Sequence, residues 1–187
     1  METSDTATVP GYTAGTWVAD TIHSEVGFSV RHMMVSNVRG RFTDFDATIT
    51  LAPDPLDSTA TAAIRLESIE TGNPKRDDDL RSGGFLDVKN HPEMTFSSTG
   101  VRAGDGVFFL DGDLTIHDVT KAVTLQVEAH GFGPDPYGFT RAGFTATTQI
   151  NRSDFGITGN MLIEGGGVVI ADTVKIQIEL EAVLQKD

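Results

Sequence analysis

Five histidines are the first residues of this chain to consider for chemistry, because imidazole is the commonest protein ligand for metals and a frequent general base. They are His23, His32, His91, His117 and His130. No two of them show the His-x-His or i, i+4 spacing that gathers metal ligands from one strand or helix. A metal-dependent enzyme would therefore require distant histidines to converge in the fold.

Nucleophilic chemistry has no better support. The chain has no cysteine, which excludes thiolate nucleophiles, disulfides and zinc–cysteine sites. It has no Gly-x-Ser-x-Gly elbow, and Ser24 beside His23 cannot form a catalytic pair, since strand neighbours face opposite ways. Gly165–Gly167 lacks the Lys-Ser/Thr of a phosphate loop, and Asp77–Asp79 is typical of a solvated helix face. We therefore predict a protein that is not an enzyme, with no catalytic residue, metal or cofactor.

The amino-acid composition limits the classes of partner that this chain can bind. The chain has 187 residues, with 14 basic and 27 acidic side chains and a net charge of -13. This field repels a phosphate backbone, so we expect no nucleic-acid partner. No window approaches the roughly 20 apolar residues that span a bilayer. The N-terminus lacks the basic start and apolar stretch of a signal peptide, which predicts a cytoplasmic protein, or a periplasmic or secreted one if a leader was removed.

The elements that must position any site are strands. From Thr173 to Val183 the apolar residues Val174, Ile176 and Ile178 alternate with polar ones, the period of a strand with one buried face. The predicted strands lie near Val18–Asp20, Ser24–His32, Gly40–Leu51, Ala60–Glu67, Met94–Val101, Val107–Ile116, Thr120–Gly131, Phe139–Ile150 and Thr173–Val183. Their spacing indicates an all-β sandwich or antiparallel barrel, formed by one domain over residues 16–187 after a flexible arm at residues 1–15.

One segment breaks the strand pattern. Asn73 can cap a helix that begins at Pro74, runs to Ser82 and stops at Gly83-Gly84. A short helix among many strands plugs one end of a barrel or sandwich, or serves as a surface connector.

Several motifs, in order and with consistent spacing, resemble the YceI-like, polyisoprenoid-binding family of lipocalin-like proteins over residues 16 to 183. They are Asp20 to His32, Val38 to Phe42, Arg76 to Asp87, His91 to Phe96, Gly112 to Leu125, Asp135 to Gly138, Arg141 to Phe144 and Asn151 to Gly156. The family often has His at Asp79, Gly at Asp118 and Pro at Ala122. The negative charge of Asp79 would disfavour anionic head groups, such as a prenyl pyrophosphate, if that position faces the ligand entrance.

The resemblance implies an extended antiparallel lipocalin-like β-barrel with one short helix near the barrel mouth, usually in a homodimer. Its lumen would carry a long-chain amphiphile, a polyisoprenoid or a similar lipid such as an isoprenoid quinone precursor, with a link to stress response. The alternatives are a ligand-free β-sandwich module for interaction or stress and, less favoured, a metal-dependent enzyme. The sequence leaves open whether side chains or a ligand fill the interior.

Shared apolar parity and the family motifs together predict the residues that bind the ligand. The predicted lumen residues are Phe28, Val30, His32, Phe42, Phe45, Ile49, Ile64, Leu66, Leu80, Phe85, Phe96, Leu114, Ile116, Phe144 and Phe155. For the head group we predict contacts with His32, Arg76 and Arg81, because a polar group should stay near water and meet hydrogen-bond donors.

Overall fold

The structure is a computed structural model that describes residues 9–159 and 170–187, so Gly165–Gly167 lies outside the described residues. The strands are β1 (Gly15–Ala19), β2 (Glu25–His32), β3 (Ser36–Phe42), β4 (Phe45–Leu51), β5 (Thr59–Arg65), β6 (Ile69–Glu70), β7 (Glu93–Ala103), β8 (Phe108–Ile116), β9 (Val119–Pro134), β10 (Thr140–Asn151) and β11 (Ile170–Leu184). The helix α1 covers Pro74–Arg81, and short 3-10 turns cover Pro55–Asp57, Leu66–Ser68 and Arg152–Phe155.

Eight of these strands close into an antiparallel barrel. Neighbouring strands follow the order β1, β4, β5, β7, β8, β9, β10 and β11, and β1 then pairs with β11, with Trp17 opposite Leu184. Closure leaves no free edge along the ring. The prediction of an antiparallel barrel is confirmed, and the β-sandwich alternative is wrong because the β1–β11 pairing joins both margins of the sheet.

The barrel is extended at one end by β2, β3 and β6. β1 and β2 follow each other along the same side of β11, with β3 paired to β2 and β6 paired to β3. The predicted strand Gly40–Leu51 is therefore two strands, β3 and β4, separated at Thr43 and Asp44. The backbone N–H groups of these two residues donate to the hydroxyl of Ser68, at 3.1 and 3.0 Å, so a side chain replaces the strand partner there.

The helix forms where its sequence signals predict it. The Asn73 side chain accepts a hydrogen bond from the Arg76 backbone N–H at 3.1 Å, and Pro74 occupies the first turn, where no N–H is needed. Leu80 packs against the buried residues at one end of the barrel. In the described parts of the chain, no helix has the length and apolarity that crossing a bilayer requires.

Two buried clusters occupy opposite ends of the barrel, since one contains Phe45 at the start of β4 and the other contains Leu51 at its end. The closed-end cluster consists of Val26, Phe42, Phe45, Ile64, Leu66, Ile69, Met94, Leu114, Ile116, Phe155 and Ile157. The second cluster contains Trp17, Leu51, Ala142 and Ala182. Between them the inward-facing Ile176, Ile178 and Leu180 of β11 remain only half-buried, so side chains do not fill the middle of the barrel.

Candidate functional site

The middle of the barrel is a cavity of about 520 Å³. Alternate residues of the barrel strands form its wall, because period two sends every second side chain inward. The volume lies within the range of pockets that hold a small organic ligand. Representative wall residues are Ala47, Ile49, Ala62, Phe96, Leu110, Val123, Val127, Phe144, Ala146, Ile176, Ile178 and Leu180.

The structure brings part of the predicted lumen together. The predicted residues that line the cavity are Phe45, Ile49, Ile64, Phe96, Leu114 and Phe144. Four others, namely Phe42, Leu66, Ile116 and Phe155, are buried in the closed-end cluster, against which Phe28 and Leu80 pack. Val30, His32 and Phe85 are half-buried and do not belong to the cavity wall. The alternation of apolar residues predicts which face of a strand points inward. It does not predict how far along the barrel axis a residue lies, and the interior is packed at the closed end and open in the middle.

Sequence reasoning missed wall residues of two kinds. The first kind, such as Leu110, Val123 and Ile178, shows the same alternation as the predicted residues, so the signal was present. The second kind comprises Val9 and Tyr12, which lie in the predicted flexible arm and had no signal. Tyr12 packs against the second buried cluster of the barrel, whereas residues 1–8 of that arm lie outside the described residues.

The cavity reaches solvent at the loop between β4 and β5. Pro53 and Asp54 both line the cavity and are exposed. The Tyr12 hydroxyl donates to the carbonyl of Ala52 at 2.6 Å, and the Ser58 hydroxyl accepts from the Ala52 N–H at 3.0 Å. The first bond holds the N-terminal segment against this loop, and the second closes the loop on itself; we call this end of the barrel the open end.

The predicted head-group arginines lie at the other end. The Arg76 guanidinium donates to the Thr71 hydroxyl and carbonyl at 2.8 and 2.7 Å. Arg81 donates to the carbonyls of Glu67 and Ile69 at 2.9 and 3.0 Å. α1 therefore lies at the end that the closed-end cluster fills, and the structure does not bring either arginine to the cavity.

An ion-pair network lies outside the cavity. Ligand atoms of Asp20, His23 and Glu181 lie within 4.8 Å of one another, but Arg141 Nη1 sits 2.7 Å from Asp20 and 3.8 Å from Glu181. Hydrogen bonds from His23 and Arg141 hold the pKa of Asp20 well below its usual range. The hydrogen bond to Asp20 also raises the pKa of His23. Because a guanidinium already neutralises these carboxylates, we assign the network to holding the β1–β2 break in place.

Two distant histidines do converge. The rings of His91 and His117 stack with centroids 4.6 Å apart. The Nε2 atom of His117 lies 2.8 Å from the Leu86 carbonyl oxygen, and the Nδ1 atom of His91 lies 3.2 Å from a carboxylate oxygen of Asp118. In the described residues no third ligand completes a metal-binding group around this pair.

Known proteins share both the sequence and the fold. The profile of the YceI-like domain matches residues 17–182. A UPF0312 protein of Pseudomonas putida (strain W619) is 38% identical over 166 residues, which are 88% of this chain and 83% of that protein. The crystal structure of Campylobacter jejuni YceI superposes with a TM-score of 0.72 at 31% identity, covering 94% of this chain and 98% of that one.

A more distant structure has the same fold. A polyisoprenoid-binding domain of Saccharophagus degradans, implicated in plant cell wall breakdown, superposes with a TM-score of 0.70 at 16% identity. The match covers 92% of this chain and 100% of that domain. At this identity the likeness shows the fold alone.

Proposed function

This chain belongs to the YceI-like family, and from that premise we propose that it binds a long-chain amphiphile without transforming it. The observation that carries the proposal is the apolar cavity of about 520 Å³ inside a closed barrel. Half-buried residues such as Leu110, Val123 and Ile178 line it and would gain contacts from a ligand tail. The tail class that we propose is a polyisoprenoid, which the Saccharophagus degradans neighbour is described as binding.

Burial of the tail would supply the affinity. Each methylene removed from water contributes about 0.8 kcal/mol, so ten of them contribute roughly 8 kcal/mol before the costs of association and ordering. Branched, unsaturated tails suit a wall that combines Phe96 and Phe144 with small residues such as Ala47 and Ala146. The wall gives shape and apolarity, which are the properties that retention of a lipid requires.

The residues of the cavity wall support a carrier function rather than an enzymatic one. In the described residues, Asp54 is the only charged side chain that lines the cavity, and neither a histidine nor a lysine accompanies it there. Acid–base catalysis needs a positioned group within hydrogen-bond reach of the reacting atoms. The homodimer and the link to stress response, which the family resemblance implies, stay predictions; sedimentation equilibrium of the full chain would test the first.

Solvent extraction of the purified protein, followed by mass spectrometry, tests the proposal directly. We expect a prenyl or acyl lipid in near-stoichiometric amount, or saturable binding of added geranylgeraniol by delipidated protein. Preparations that repeatedly contain no amphiphile and also fail to bind added geranylgeraniol and fatty alcohols would overturn it.

A further inference from the structure

We propose that the open end of the cavity selects amphiphiles whose head group donates a hydrogen bond, such as an alcohol, a primary amide or an amine, and rejects anionic head groups. The inference rests on the proposed function, in which the cavity holds a lipid tail. It adds the position of the head group and its chemical class.

The position follows from the two ends of the barrel. The closed-end cluster, which includes Phe42, Leu66 and Phe155, is apolar and buried, so a polar group placed there would lose its contact with solvent. The open end has Pro53 and Asp54 both in the cavity wall and in contact with solvent. A polar head group avoids the cost of desolvation only at the second of these ends. The head group therefore lies beside the β4–β5 loop, at the opposite end of the barrel from α1.

The chemical class follows from which atoms are still available there. The Tyr12 hydroxyl donates to the Ala52 carbonyl at 2.6 Å, so in its 3.4 Å contact with the Ser58 hydroxyl it is the acceptor, and neither hydroxyl is left as a free donor. One carboxylate oxygen of Asp54, Oδ1, accepts from the Leu56 N–H at 3.0 Å. Within the described part of the chain its other oxygen, Oδ2, has no donor partner, and an ionised carboxylate only accepts. A hydroxyl such as that of Thr59 can donate or accept, whereas the Asp54 carboxylate only accepts, so the charged group at the open end suits a donor.

The charge of the cavity wall disfavours anionic head groups. No lysine or arginine belongs to the cavity wall in the described ranges, and the one charged wall residue is acidic. A phosphate or carboxylate head group would face Asp54 without a counterion, in a protein whose net charge is -13. An anion placed this way loses hydration and gains repulsion.

Ligands that share one tail isolate the head group. We would titrate delipidated full-length protein by calorimetry with geranylgeraniol, its methyl ether and geranylgeranyl monophosphate at pH 7.5. We expect the alcohol to bind about tenfold or more tightly than either of the others, a difference of roughly 1.4 kcal/mol per factor of ten. The ether has lost the donor, and the phosphate has gained the charge.

Variants then assign the effect to Asp54. Asp54→Asn removes the charge but can still cap the 3-10 turn, so we expect the fold to persist and the alcohol-to-phosphate ratio to fall about tenfold. Asp57→Asn removes the same charge from the same turn, but Asp57 is exposed and is not a wall residue. We expect this control to leave the ratio unchanged.

Each outcome decides one proposal. Equal or tighter binding of the phosphate or the ether by the wild-type protein overturns the head-group inference but leaves lipid binding intact. An unchanged ratio in Asp54→Asn, or an equal fall in Asp57→Asn, also overturns it. Failure of all three ligands to bind overturns the proposed function instead.

Discussion

Arg141 on β10 donates a hydrogen bond to Asp20, a residue 121 positions earlier in the chain, with 2.7 Å between Nη1 and the carboxylate oxygen. Asp20 lies in the break between β1 and β2, where the chain leaves its pairing with β11. The same guanidinium binds Asp135, in the turn between β9 and β10, through Nε at 2.7 Å. The Arg141 side chain therefore links the break between β1 and β2 to the β9–β10 hairpin.

Replacement of Arg141 by Met should lower the stability of the fold. It leaves the carboxylates of Asp20 and Asp135, which are only 16% and 8% exposed, without their cation. Urea unfolding followed by circular dichroism gives the measurement. Arg102→Met is the matched control, because its pair with Asp111 lies on the exposed outer face, where ion pairs contribute little. Equal losses of unfolding free energy in the two variants would contradict the role assigned to Arg141.

Acid should destabilise the protein through carboxylates that are paired in the fold. Hydrogen bonds from Arg102 and Thr124 lower the pKa of Asp111 from its ordinary 3.8 to about 2, and Arg141 lowers the pKa of Asp135. A carboxyl with a depressed folded pKa contributes stability above its unfolded pKa and loses it as the pH falls. We expect the unfolding free energy to fall between pH 4 and pH 2, and that of the Arg141→Met variant, which lacks the cation paired with Asp135, to fall less steeply.

His23 should produce the opposite dependence at higher pH. Its pKa is raised, chiefly by the hydrogen bond to Asp20, so its contribution is fully present below the ordinary value of 6.5. That contribution is lost as the pH rises through the raised value. Urea titrations from pH 6 to pH 9 should show a small loss of stability that His23→Gln abolishes. An identical pH dependence in the variant would disprove this assignment.

The packing of the Phe96 ring against β8 should require a glycine at position 112. A Cβ atom added to Gly112 would lie 2.8 Å from the carbonyl oxygen of Ser97 and would collide with the Phe96 ring, which belongs to the cavity wall. We expect Gly112→Ala to lower the unfolding free energy by about 1–3 kcal/mol, the usual cost of overpacking. Gly100→Ala on the paired strand is the control, because a Cβ there meets no atom within 4 Å. Comparable losses at both glycines would refute the packing argument.

Ala146→Phe should fill the cavity and remove ligand binding while the barrel stays folded. Ala146 faces inward on β10, so a phenyl group there would occupy the space that we assign to the lipid tail. We expect geranylgeraniol affinity to fall about tenfold or more, with the circular dichroism spectrum unchanged. Ala122→Phe on the exposed face of β9 is the control and should bind normally. Normal binding by the Ala146 variant would place the ligand outside the barrel.

Local pattern was sufficient for most of the elements and for the inner face of most strands, although it merged β3 with β4 and missed β6. The alternation around Ile176 and Ile178 predicted β11, and Asn73 followed by Pro74 predicted α1. Both signals act over a few residues, because strand period and helix capping depend on the backbone nearby. The same parity indicated that Phe96 and Phe144 face inward, and both side chains line the cavity.

Only the tertiary structure decided what those inner faces enclose. Phe45 belongs to the closed-end cluster and also lines the cavity, whereas Phe42 belongs to the cluster and not to the cavity wall, although both were predicted from one strand. The structure divides that strand between them, where the Thr43 and Asp44 N–H groups bind the Ser68 hydroxyl. Tyr12 reaches the open end through a hydrogen bond to Ala52, 40 residues away. Parity records the direction in which a side chain points, whereas the height along the barrel and the open end depend on pairings between distant segments, which no local pattern contains.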